Sequence, residues 1–278
     1  LLQGGHQVVV YDRSAEAVEQ ASEGGATGAR SLADVVDRLE TPRAIWVMVP
    51  SGEPTEETVQ ELAGLLSSGD TVIDGGNSNY KDSMRRASSM ADRGLLFLDA
   101  GTSGGVWGLQ EGYSLMVGGD EDVFNKVKPT LDAIGSHVVY CGPIGNGSVC
   151  KICNNLLSMG IGVLMAEALT LGVKAGVDLA VLADAIANSS GGSKRLTEKF
   201  PRFLFKGNFE PGFATALAAK DVRLATDLGR EYGIPMELSN LVDQRHVEAM
   251  FRGWGPEDSD AVARIQEEKA GVQLRLPE

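Results

Sequence analysis

Cysteine, histidine and positive charge are all scarce in this chain of 278 residues. The three cysteines (Cys141, Cys150, Cys153) and three scattered histidines (His6, His137, His246) are too few for a disulfide scaffold or a histidine-rich metal cluster. Cys150 and Cys153 have CxxC spacing, but no second cysteine pair accompanies them. Buried, inert thiols in a reducing compartment are expected, with no metal. Lys and Arg number 25 against 38 Asp and Glu, a net charge of −13 that repels a nucleic-acid backbone. An anionic ligand then needs local cations. No apolar run approaches the ~20 residues of a membrane span, and no charged start followed by an apolar segment points to export. The sequence therefore predicts a cytoplasmic protein with neither nucleic acid nor membrane as partner. Internal repeats and low-complexity segments are also missing.

What is plentiful is apolar content, 43%, and glycine, 35 residues, mostly placed singly or in pairs after apolar runs where strand-to-helix turns need them. The runs "VVVYD", "AIWVMVP", "TVIDGG", "LLFLDAG", "SLMVGG" and "HVVYCG" alternate with helix-like segments such as "TEETVQELAGLL". That alternation predicts a mostly parallel, doubly wound α/β sheet of Rossmann type over residues 1–143. After the glycine-rich turn "CGPIGNG" the pattern changes to long amphipathic helices. Residues 144–278 are predicted to form an all-α domain.

The opening "LLQGGHQVVVYDR" fits the last third of a dinucleotide-binding βαβ unit. Leu1 and Leu2 end a helix, Gly4 and Gly5 cap it, Val8–Tyr11 form the second strand, and Asp12 is the acid for an adenosine ribose. On this reading the first strand and its glycine turn, roughly 20 residues counted back from Asp12, precede Leu1. An acid at this position favours NAD over NADP, although Arg13 beside it pulls the other way. The alternative is that Asp12 merely leads into the next helix.

Three further stretches carry chemistry. "DGGNSNY", residues 74–80, ends a predicted strand, where open α/β sheets place their ligands; Asn77 there either points an amide at a ligand or simply makes a turn. "DAGTSGGVWG", residues 99–108, offers the Ser103 hydroxyl and the backbone N–H groups of Gly104 and Gly105, a nest suited to a carboxylate, close to a bulky Trp107. "CKICNNLL" puts Lys151 and Asn155 at i and i+4, on one helix face. A lysine flanked there by Ile152, Leu156 and Leu157 is either desolvated into a proton acceptor or an ordinary exposed lysine.

Together these motifs, in this order, resemble the β-hydroxyacid dehydrogenase superfamily over nearly the whole chain. The resemblance implies a Rossmann domain followed by a helical domain, with Ser103, Gly104 and Gly105 as the substrate loop, Lys151 as general acid/base and Asn155 as substrate ligand. "FATALAAKDVRLA" resembles the family's F-x-x-x-L-x-x-K-D element, which implies that Phe213, Lys220 and Asp221 face cofactor and substrate. With Asp12, Arg13, Val49, Pro50 and Asn77 they complete the expected cofactor set. "GWGPEDSDAV" resembles the C-terminal signature, with Asp260 where serine is usual.

The first half is similar to the NAD-linked 6-phosphogluconate dehydrogenases, but the second departs from them. Asn154, Ser158 and Met159 occupy the positions of their His, their acid Glu and their phosphate-binding Tyr, and Glu167 is too far along the helix to replace that acid. The expected activity is therefore NAD-dependent oxidation of a small anionic β-hydroxyacid of 3-hydroxyisobutyrate type. Decarboxylating phosphogluconate oxidation is the second expectation, and a catalytically silent binding module a third. The family is generally oligomeric, so a homodimer or homotetramer is expected, with the apolar helix from Leu156 to Leu171 offering contact surface.

Overall fold

A computed structural model describes residues 1–105 and 108–277, so the expected Trp107 lies outside the described residues. The chain divides into two compact units, Leu1–Lys151 and Ile152–Glu278.

The first unit begins with a 3-10 turn, Leu2–Gly4, closed by Gly5 in the left-handed region at φ 81°. The Gly5 cap agrees with the sequence reading, whereas Gly4 lies inside the turn rather than in the cap. β1 is shorter than the expected Val8–Tyr11: it spans Val9–Val10 and pairs in parallel with β2, Thr27–Gly28, as a separate two-stranded sheet. α1, Ala15–Glu23, and α2, Leu32–Arg38, start on serine caps: the Ser14 and Ser31 side chains accept from Ala17 and Asp34 N–H.

The main sheet runs β3 (Ala44–Val47), β4 (Thr71–Asp74), β5 (Leu96–Ser103), β6 (Tyr113–Gly119) and β7 (Gly135–Tyr140), in that spatial order. Its helices are α3 (Glu53–Leu65), α4 (Tyr80–Ala91) and α6 (Glu121–Asp132); the four-residue α5, Gly108–Glu111, joins β5 to β6. All neighbouring pairs are parallel except β5 and β6. That connection is too short for a crossover, so the chain turns back antiparallel. Strand alternation splits the core into two layers. Val72 and Phe97 face one cluster with Val59, Leu62 and Met90, while Ile73 and Leu98 face the other with Phe124 and Leu131. Each such fully buried side chain contributes roughly 1.5–3 kcal/mol.

α7, Asn146–Lys174, begins in the first unit and continues into the second. It corrects two expectations. By length and composition alone it is apolar enough to cross a membrane, a composition that a core helix shares, although the sequence holds no unbroken apolar run of that length. Cys150 and Cys153 are exposed and Cys141 is half-buried, so these thiols are not the buried set expected. The reason is helical phase: they lie off the face that buries Lys151, Ile152, Asn155 and Met159. Burial, reinforced by a hydrogen bond to Cys150, still pushes the Cys141 thiol up to about 12.

The second unit adds α8 (Leu179–Ala187), α9 (Thr215–Glu231), α10 (Glu237–Phe251) and α11 (Ala263–Ala270). Its largest cluster joins Met165 and Leu169 of α7 to Leu179, Phe200, Leu204 and Leu274. Among the described residues the unit contains one isolated β-bridge, Ala214 to Asp258, and no named strand.

Candidate active site

In the first unit the candidate residues gather at strand ends. Asp12, just beyond β1, is exposed, and its Oδ1 accepts from Ser14 N–H at 2.8 Å. Arg13 is exposed and pairs loosely with Glu57 of α3 at 3.8 Å. Val49 packs against the core after β3, and the Pro50 carbonyl accepts from the Thr55 hydroxyl at 2.9 Å. Asn77 follows β4 in the left-handed region, φ 58°, which few non-glycine residues adopt.

The Asn77 loop is held by a residue that sequence reading missed. The buried Arg86 of α4 donates from Nη1 to Asp74 Oδ2 and to the Ser78 hydroxyl, both at 3.1 Å, and from Nε to Glu56 Oε2 at 2.9 Å. The other Asp74 oxygen accepts from Gly76 N–H at 3.0 Å. Gly75 and Gly76 admit their neighbours closely: a Cβ would lie 2.6 Å from the Trp46 ring at Gly75 and 2.6 Å from the Val49 carbonyl at Gly76. The Arg85 guanidinium, with help from Arg86, holds the Glu56 carboxyl down at about 2.

Ser103 ends β5 opposite Ser114, and Gly104 and Gly105 follow at φ 153° and 56°. Side chains are strained there, and a Cβ on Gly104 would strike the Tyr113 ring at 2.8 Å. Two residues before Ser103, Gly101 lies under α7, where a Cβ would sit 2.5 Å from Lys151 Cβ. Lys151 is 7% exposed and belongs to the buried face of the helix.

In the second unit Asn155, 6% exposed, donates from Nδ2 to Asp221 Oδ2 at 2.6 Å. The other Asp221 oxygen pairs with Lys220 Nζ at 3.3 Å. Asp221 is thus a buried bridge between two candidate side chains. Phe213 precedes α9; its N–H, like that of Gly212, donates to Asp258 Oδ2, while Lys199 pairs with Asp258 Oδ1 at 3.1 Å. Burial lowers the Lys199 ammonium from its ordinary value.

Two of the three departures from the phosphogluconate pattern, Ser158 and Met159, meet on one side chain with Asp260 of the C-terminal signature, while the third, Asn154, donates from Nδ2 to Asn155 Oδ1 at 3.1 Å. Arg195 donates to the Ser158 hydroxyl at 3.4 Å, touches Met159 Sδ at 3.9 Å and pairs with Asp260 in the interior. Burial pushes the Asp260 carboxyl upward against the pull of Arg195. Glu167 instead pairs with Arg245 at 3.9 Å, half-exposed.

Comparisons with known proteins identify the family. The NAD-binding domain of 6-phosphogluconate dehydrogenase matches residues 1–142, and the NAD-binding domain of NADP-dependent 3-hydroxyisobutyrate dehydrogenase matches residues 145–266. The chain is 33% identical to 2-(hydroxymethyl)glutarate dehydrogenase of Eubacterium barkeri, over 83% of this chain and 78% of that one. It is 44% identical to an NAD-dependent, decarboxylating 6-phosphogluconate dehydrogenase of Haloferax volcanii, over 53% of this chain but 46% of the other. The structure superimposes on a 3-hydroxyisobutyrate dehydrogenase of Mycobacterium tuberculosis with a TM-score of 0.83 at 26% identity, covering 95% and 92% of the two chains. The chain belongs to the β-hydroxyacid dehydrogenase superfamily. It is an NAD(P)-dependent oxidoreductase acting on a CH–OH group.

The residues present fit such a cofactor. An exposed acid ends β1, and the β4 loop is locked by Arg86 around two glycines that a Cβ would crowd.

Proposed function

We propose that the protein oxidises a 3-hydroxyisobutyrate-type β-hydroxyacid, with Lys151 as general acid/base. The observation that carries this reading is the pairing of Lys151 and Asn155, buried one turn apart on α7, each fixed from outside the helix: Lys151 by its seat on Gly101 and Asn155 by Asp221. Bound NAD supplies the hydride acceptor. Lys151 Nζ takes the hydroxyl proton as the C–H bond breaks, Asn155 orients that hydroxyl, and Ser103 with the Gly104 and Gly105 N–H groups holds the carboxylate. Asp12 favours NAD by accepting from a free ribose 2′-hydroxyl, with Lys220 and Phe213 on the nicotinamide side.

Oxidation without enol protonation is supported by Ser158 and Met159. Ser158 stands where the phosphogluconate enzymes carry their acid, has no suitable pKa for that role, and is engaged by Arg195. Met159, in the place of their phosphate-binding Tyr, is buried against Val222 and Val242. The identity with the Haloferax enzyme favours the phosphogluconate reading as the alternative. Exposed Leu157, Leu164 and Leu171, spaced by seven along α7, support a homodimer or homotetramer.

The test is turnover of NAD and NADP with 3-hydroxyisobutyrate-type acids against 6-phosphogluconate, followed by NADH fluorescence. NAD-linked oxidation of the simple acids without CO₂ release is expected, and Lys151→Met should lower kcat by about 10²–10⁴-fold in a folded protein. Robust CO₂ release from phosphogluconate overturns the substrate assignment. Silence with every acid favours a binding module.

A further inference from the structure

We infer that Asp99 is the positioning residue for Lys151, acting through the first turn of α7. The inference rests on the reading of Lys151 as acid/base. The Asp99 carboxylate is 1% exposed and lies in β5, four residues before Ser103. Among the described residues it pairs with no cation, and two backbone donors from the start of α7 converge on it instead. Gly145 N–H donates to Oδ1 at 2.7 Å and Ser148 N–H to Oδ2 at 2.6 Å. The two amides are among the orphan donors of a helix N-terminus, and a carboxylate accepting from them makes short, charge-assisted bonds favoured by the helix dipole.

Three glycines bring the helix end into reach of that carboxylate. A Cβ on Gly118 would lie 2.5 Å from Asp99 Oδ1 and 2.7 Å from Gly147 N. On Gly147 it would lie 2.4 Å from the Met116 carbonyl, and on Gly101 2.5 Å from Lys151 Cβ. The first turn of α7 therefore rests directly on the backbone of β5 and β6. Lys151 follows Ser148 by three residues, ~4.5 Å along the helix axis, with no intervening flexible bond in the backbone. Whatever fixes Ser148 N–H fixes the point from which the Lys151 side chain departs. A displacement of about 1 Å at a catalytic group costs up to ~100-fold in rate.

Loss of a carboxylate that merely stabilised the fold would lower the melting temperature and leave turnover per folded molecule intact. Asp99→Asn replaces one acceptor oxygen by an NH₂ facing an N–H. In the folded enzyme it is expected to lower kcat by about 10–100-fold, to change KM for hydroxyacid and NAD less than threefold, and to shift the limb of the pH–rate profile assigned to Lys151. Gly101→Ala sets a methyl 2.5 Å from Lys151 Cβ and 2.8 Å from the Gly147 carbonyl, whose peptide carries Ser148 N–H, so it displaces the same helix start with the Asp99 side chain unchanged and should reproduce the kcat loss even if Asp99→Asn fails to fold.

Lys151→Met, measured alongside, separates the two claims. Wild-type turnover in that variant overturns the acid/base reading itself. An inert Lys151→Met beside Asp99→Asn and Gly101→Ala variants that keep kcat within twofold overturns the positioning role alone.

Discussion

Asp74 and Asp99 sit side by side in register on β4 and β5, both buried, and are answered in opposite ways. Asp74 meets the guanidinium of Arg86 and one loop amide. Asp99 meets two backbone amides of a helix start. The first arrangement ties a loop through a long side chain that also holds Ser78 and Glu56. The second ties a whole helix through its backbone. A buried acid at a strand end can thus position either a loop or a helix, depending on whether a charge or a dipole reaches it first.

Breaking the charge-held side should cost most. Arg86→Met strands Asp74 without its counter-charge and frees Ser78, for a loss of about 3–5 kcal/mol in urea unfolding. Arg86→Lys should recover only part, because a point charge cannot serve Asp74, Ser78 and Glu56 together. Breaking the dipole-held side through Gly147→Ala sets a methyl against carbonyl oxygens of both β5 and β6, and should cost about 1–3 kcal/mol by the same measurement.

The smallest effect separates the two sides by sign. Glu56, the other anchor of Arg86, has its carboxyl drawn from 4.5 down to about 2, so its contribution is complete above its ordinary value and disappears as pH falls through about 2. After solvent screening this amounts to about 1–2 kcal/mol lost on acidification. Burial raises Asp99 above its ordinary 3.8, so its contribution is greatest below that value and declines as pH climbs through the raised one. Unfolding of the wild type and Asp99→Asn across the acid range should show the second slope vanish and the first persist.

Both acids were inside stretches that the sequence marked, "DGGNSNY" and "DAGTSGG", yet neither stood out. Their partners lie 12 residues away for Asp74 and 46 and 49 for Asp99, beyond any local pattern. The alternation of apolar runs and helices, the glycine cap at Gly5 and the i, i+4 relation of Lys151 to Asn155 are short-range features, and they were legible. The Asn155–Asp221 bond and the meeting of Ser158, Met159 and Asp260 on Arg195 depend on packing between helices far apart in sequence. The exposure of Cys150 and Cys153 was missed for a related reason. CxxC spacing gives a helix face, but nothing local says which face is covered.

The seating of α7 on Gly101, Gly118 and Gly147 also bears on how such an enzyme can change. A contact made by absent side chains has no smaller neighbour to step to and no rotamer to adjust, so substitution there cannot be gradual. New substrates must be reached by altering residues other than these glycines, while the footing of the lysine stays fixed.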